Sequence, residues 1–224
     1  MFRNDTFSRA GSNHELTAST YNLILGAVLL WGFALNWWMV TTIPADTVKA
    51  INPIAFIVGY FVSALLGIFL IHASKQPIVS FIGYNLIVVP IGLVLVMFIP
   101  NHSQAHVINA VQTTALLTVG MMALGSLYPR FFQRIESALF WALLISIVVE
   151  LVQVTVFKVK LEILDWIVAA IFCGYIGVDF GRANSIERTV DNAIDSAACL
   201  YLDIINLFIR ILEIMSKVKD VADD

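Results

Sequence analysis

Charge is what this 224-residue chain has least of. Asp, Glu, Lys and Arg make up only 13% of it, about half the share usual in a soluble domain. No acidic residue occurs between Asp46 and Glu136, and no run of Lys and Arg occurs anywhere. A net charge of −3 without a basic cluster excludes a nucleic-acid partner. Cysteine is almost as scarce. Cys173 and Cys199 are the only two, both in apolar stretches. That excludes a disulfide framework or a Cys-x-x-Cys metal site, and each reads as a small packed hydrophobe. His102 and His106 by themselves make no zinc site. No P-loop, nucleophile–base pair or cofactor motif is visible, so neither an enzyme nor a bound cofactor is expected. Gly/Ser linkers and low-complexity tracts are also missing.

What fills the chain instead is apolar. Hydrophobic residues make up 59%, and the mean hydropathy is +0.87. This is the composition of an all-α, polytopic membrane protein. Runs of about 20 apolar residues read as spanning helices. They fall at Tyr21–Val40, Pro53–Ile71, Ile78–Ile99, Val107–Tyr128, Ser137–Phe157, Ile163–Arg182 and Val190–Met215. Short loops make neighbours antiparallel. Residues 1–20 read as a polar, disordered tail rather than a signal peptide, because the first apolar run is too long for one. Residues 21–215 form the membrane domain, and 216–224 a charged tail. Asn85 and Pro90 suggest a kink in span 3, with Asn85 serving backbone groups that Pro90 frees.

Loop charge orients the spans. The side of the N-terminal tail carries Arg3, Arg9, Lys75, Arg130, Arg134, Arg182 and Arg188, and the other side Lys49, Lys158 and Lys160. The excess puts the N-terminus in the cytoplasm. Arg210, in the last turns of the final span, and Lys217 and Lys219 beyond it also count. They weaken the bias if that segment crosses fully and strengthen it if the segment dips in and returns. Its length favours crossing.

That last segment carries carboxylates where a membrane helix should have none. Placed on a helix, Asp191, Asn192, Asp195, Ser196, Cys199, Asp203, Asn206 and Arg210 fall in one arc of roughly 140°. Ionisable groups at membrane depth cost about 2.5–3.5 kcal/mol each even on lenient scales, so they mark a pathway, a switch or a buried pair. In span 6, Asp165 and Asp179 share a face at opposite ends. Ala170, Gly174, Gly177 and Gly181 form a small-residue stripe that admits a close neighbour, for which span 7 is the obvious candidate. Asp179 and Asp203 facing each other in low dielectric would share a proton and respond to pH. Ionised and hydrated, the same oxygens would provide part of a Ca²⁺ site. Structural alternatives stay open. Asp191 suits a helix N-terminus, Asp179 has Arg182 nearby, and Asp203 has Arg210 near its own azimuth. Glu150 and Gln153 lie on one face of span 5 and either line a cavity or bond across helices.

The run Ala197-Ala-Cys-Leu-Tyr-Leu-Asp203-Ile-Ile-Asn206-Leu-Phe208 resembles the closing signature of the Bax inhibitor-1 family (TMBIM, or YccA/YetJ-like, membrane proteins). Gly177-Val-Asp179 near the cytoplasmic end of span 6 is similar too. The resemblance implies a seven-transmembrane helix bundle with the last helix central. It also implies a pH-sensitive Ca²⁺ leak of the cell membrane, with the gating aspartates mapping onto Asp179 and Asp203. Asp195, Asn206, Glu150 and Arg210 would support the pathway. Bacterial relatives pair a basic latch in span 2 with the span-6 aspartate. This chain has no Arg there, and His72 or Lys75 is the nearest substitute. The family's acidic residue in span 2 is absent as well. A second role implied by analogy is a non-conducting regulator that binds another membrane protein, such as a quality-control protease. The short chain suggests a bacterial host. An intramembrane aspartyl protease is disfavoured: that class resembles Tyr-Asp followed by Gly-x-Gly-Asp, and here the order and spacing differ.

Overall fold

Thr17, Asn52 and Ser103 each open a long helix by the same chemistry. In each case the side-chain oxygen accepts a bond from a backbone N–H that the first turn leaves without a partner. Pro53, Pro77 and Pro129 occupy the first turn of three helices, where their missing N–H costs nothing. The computed structural model describes residues 15–158 and 161–220. Its helices are α1 (Ala18–Thr42), α2 (Ala45–Lys49), α3 (Pro53–Ala73), α4 (Pro77–Phe98), α5 (Gln104–Leu127), α6 (Pro129–Val152), α7 (Glu162–Ala183) and α8 (Val190–Asp220). A 3₁₀ turn at Ile99–Asn101 extends α4, and a π turn at Gln153–Phe157 extends α6. Lys158, left-handed at φ 53°, stops that second extension. The expected tail over residues 1–20 and the end of the C-terminal tail lie largely outside the described residues.

Six helices among the described residues are long and apolar enough to cross a membrane: α1, α3, α4, α5, α6 and α7, with the two extensions included. The chain is a multi-pass, all-helical membrane protein. Its exposed side chains include Ile54, Leu65 and Phe69 on α3 and Leu116 and Val119 on α5. That surface suits lipid contact. The expected seventh segment is present as α8, 31 residues long, but it is not among the six apolar helices. The polar arc lowers its hydropathy, although every position of the helix from Asp191 to Ile214 is buried or half-buried. Span 5 begins at Pro129 rather than Ser137, so Glu136 sits inside a helix.

The chain divides into two compact units. The first combines α1 to α4 with α8 as far as Tyr201. In it, Tyr84 and Tyr201 are fully buried, with their rings edge-to-face at 5.6 Å. Tyr84 donates to the Val28 carbonyl (3.0 Å), and Asn36 Nδ2 donates to the Tyr201 hydroxyl. A Cβ on Gly32 would collide with the Tyr84 hydroxyl. Gly67 and Gly83 bring the backbones of α3 and α4 together in the same way. Pro90 leaves the Leu86 carbonyl without a helical donor. The replacement is not Asn85, which donates to the Phe81 carbonyl and accepts from Trp31. It is Ser63 of α3, whose hydroxyl donates to Leu86 O at 2.7 Å.

The second unit combines α5, α6 and α7 with α8 from Leu202 onward. Its glycine stripe does not face α8. Gly177 meets the Gly125 backbone of α5 and the Phe132 ring of α6, Gly181 meets Gly125, and Gly174 meets Leu139. The reason lies in helix geometry. Asp179 is about 140–200° around α7 from Gly174, Gly177 and Gly181. If Asp179 is to meet α8, the glycines must face α5 and α6.

Candidate functional site

Carboxylates inside an apolar bundle are tolerated only where partners are built for them. The second unit gathers two such groups, one near each end of α7. Asp179 in the penultimate turn of α7 and Asp203 on α8 bring their carboxyls within hydrogen-bonding range of each other. Asp203 is buried, and its Oδ2 has no hydrogen-bond partner. A hydrogen bond between two carboxyls requires a proton on one of them. With both ionised, the pair would leave two like charges in contact at low dielectric. Asp179 also takes Arg182 Nη1 at 3.2 Å, and Arg182 binds Glu136 of α6 through its other nitrogen. A line of acid, acid, guanidinium and acid thus runs from α8 through α7 to α6. A proton shared by the two acids, if lost or replaced by a cation, would change the charge at the buried end of that line.

Arg182 was visible in the sequence as a neighbour of Asp179, but Glu136 was not singled out. It is the sole acidic residue between Asp46 and Glu150. Its place near the charged start of α6 was the available signal.

The other group lies near the start of α7. Arg210 Nη2 binds Glu150 Oε2 at 2.6 Å, and its Nη1 reaches Asp165 Oδ1 at 2.9 Å. Glu213 lies 3.5 Å from Arg210, and Lys217 binds Asp165 Oδ2 at 2.7 Å. The register explains the arrangement. Asp165 precedes Asp179 by fourteen residues, and Lys217 follows Asp203 by fourteen. On antiparallel helices, contact at one end therefore brings the other two together. Arg210 is a partner of Glu150 and Asp165, not the structural partner of Asp203 weighed above. Gln153 accepts from the N–H of Leu161, the residue that opens α7, at 3.2 Å. Asn206 donates to its own helix at Leu202 O.

In the first unit, Asp191 lies in the opening turn of α8 and accepts from Ser80 of α4 at 2.7 Å. Asp195 is buried one turn further on. Of the proposed latch residues, His72 bonds the Ile68 carbonyl through Nδ1 at 2.8 Å, and Lys75 lies near Asp191. The cation observed against Asp179 is Arg182, from the same helix. Among the described residues no three His, Cys, Asp or Glu side chains converge as a metal site.

The family model described as Inhibitor of apoptosis-promoting Bax1 matches residues 13–220. The chain belongs to the Bax inhibitor-1 family. The match runs through both units and all eight helices, so the family assignment rests on far more than the closing signature in α8. Two curated family relatives are Protein LIFEGUARD 3 and Protein LIFEGUARD 4 of Arabidopsis thaliana. The first is 40% identical over 87 residues, which is 38% of this chain and 34% of the relative. The second is 40% identical over 86 residues, 37% and 34% respectively. Each match spans about a third of the relative's length. Both are plant proteins and lend no support to the bacterial host expected from the sequence.

Proposed function

We propose that this Bax inhibitor-1 protein is a pH-sensitive calcium leak of the cell membrane, gated by the proton shared between Asp179 and Asp203. The observation that carries the reading is the buried contact between these two carboxyls, with Asp203 Oδ2 left unpartnered. A proton holds the two acids together. Its loss makes them repel and turns them into oxygen ligands for a hard cation. In this reading α8 is a seventh crossing, shielded from lipid by protein, with the N-terminus cytoplasmic. Its 31 residues would reach about 46 Å at the α-helical rise. Burial along α8 supports the role, because polar groups are tolerated at membrane depth where they do not meet hydrocarbon.

Purified protein in liposomes should pass Ca²⁺ above the level of empty vesicles, and Asp179→Asn and Asp203→Asn should each change that flux. Equal flux in wild type and both variants would remove the pair from the mechanism.

The matched family is described as an inhibitor of apoptosis-promoting Bax1, and a second reading makes this chain a regulator that acts by binding another membrane protein rather than by conducting. The polar N-terminal residues would be the handle. Deleting residues 1–18 should then abolish recovery of a partner from detergent-solubilised membranes. Recovery that survives the deletion would count against the tail.

A further inference from the structure

A different cluster lies where α1, α4 and α8 begin in the first unit. Asp191 and Asp195 are four residues apart on α8, hence on one face of it. Ser80 of α4, fully buried, donates to Asp191 Oδ1 at 2.7 Å and lies beside Asp195 as well. Asp195 is only 6% exposed, and its Oδ1 is buried with no hydrogen-bond partner. Tyr21 of α1 borders the cluster. Its hydroxyl donates to Asn192 O at 3.2 Å and bonds Ser196 Oγ at 3.1 Å.

An orphaned carboxylate oxygen at this burial is costly unless a proton or a cation satisfies it. Every side-chain atom aimed into the cluster from Asp191, Asp195 and Ser80 is oxygen. Oxygen-only donors select hard cations over soft transition metals. Two carboxylates and a hydroxyl are too few to enclose such an ion, so it would keep part of its water, as magnesium and weakly held calcium do. The positive groups nearby work against it. Lys75, between α3 and α4, lies near Asp191, and Arg188, before α8, lies near Tyr21.

We propose that Asp191 and Asp195, with Ser80 between them, form a site for a partly hydrated divalent cation of the calcium–magnesium class, in addition to the Asp179–Asp203 pair. Asp195 supplies the open oxygen and Asp191 the second carboxylate. Ser80 holds Asp191 in place and faces the ion. Lys75 competes with the ion for Asp191 and sets how weakly it is held. The site requires no conduction, so it stands or falls separately from the leak.

The test is equilibrium binding of Ca²⁺ to the purified full chain in detergent, by isothermal titration. It is done in the Asp179→Asn/Asp203→Asn background, so that the gating pair contributes nothing. One saturable event is expected. Asp195→Asn should weaken it by roughly tenfold or more. Lys75→Gln, which leaves every proposed ligand in place, should tighten it. The absence of saturable binding below about 10 mM Ca²⁺ would overturn the proposal. So would an affinity left unchanged by both substitutions.

Discussion

Ser63 shows how one hydroxyl on a neighbouring helix can make an internal proline tolerable. Its bond to the Leu86 carbonyl replaces the one Pro90 cannot give. Ser63→Ala should lower the unfolding midpoint in detergent, by about 1 kcal/mol of stability, and Ser63→Thr should restore most of it. Arg210 is the opposite case, one cation serving several acids. Arg210→Met would strand Glu150 beside Asp165, whose own side chain is only 6% exposed. The expected loss is about 3 kcal/mol, read by thermal unfolding. Removing both Arg210 and Glu150 should cost less than the separate losses added together. At this scale the sequence was uneven in what it disclosed. Asp203 stands out because a carboxylate amid Leu, Tyr, Ile and Phe is costly at membrane depth without a partner. Ser63, Ser80 and Glu136 do not stand out. A serine that donates across helices resembles any small residue of an apolar run, and Glu136 resembles the charged edge of a span.

The elements were more legible, because each is a long apolar run. Those runs place starts at Tyr21, Pro53 and Val107, within a few residues of the observed Ala18, Pro53 and Gln104, while the polar opening turns of α6 hid its start at Pro129. The glycines of α7 were visible as a stripe, but not the partner they meet. Azimuth settles it: a face that presents Asp179 to α8 cannot also present Gly177. Gly177→Val should therefore disturb α5 and α6, which hold the other side of α7. An overpacking loss of about 1–3 kcal/mol or more is expected. In cross-linking between engineered cysteines, the α5–α7 pairing should weaken before the α7–α8 pairing. Preferential loss of the α7–α8 cross-link would contradict the assignment of faces. Hydropathy ranked α8 below the other long helices for the reason that makes it interesting, since its buried polar arc counts against it on any average.

At the scale of the molecule, each unit uses a part of α8 and lines it with polar partners. The first unit surrounds Asp191 and Asp195 with Ser80 and Tyr21. The second places Asp179 against Asp203, and Asp165 and Glu150 against Arg210 and Lys217. Polar chemistry is thus concentrated along one helix, while α3 and α5 present hydrocarbon. The division into two units was not legible in the sequence, because nothing in α8 marks Tyr201 and Leu202 as a boundary. The central claim is that the proton between Asp179 and Asp203 governs passage of calcium. The measurement that tests it most directly is Ca²⁺ entry into proteoliposomes across about pH 6 to 8, for wild type and Asp203→Asn. The account predicts a flux that varies with pH in wild type and loses that variation in Asp203→Asn. A wild-type flux that does not vary with pH, or a variant that keeps the full pH response, would contradict it.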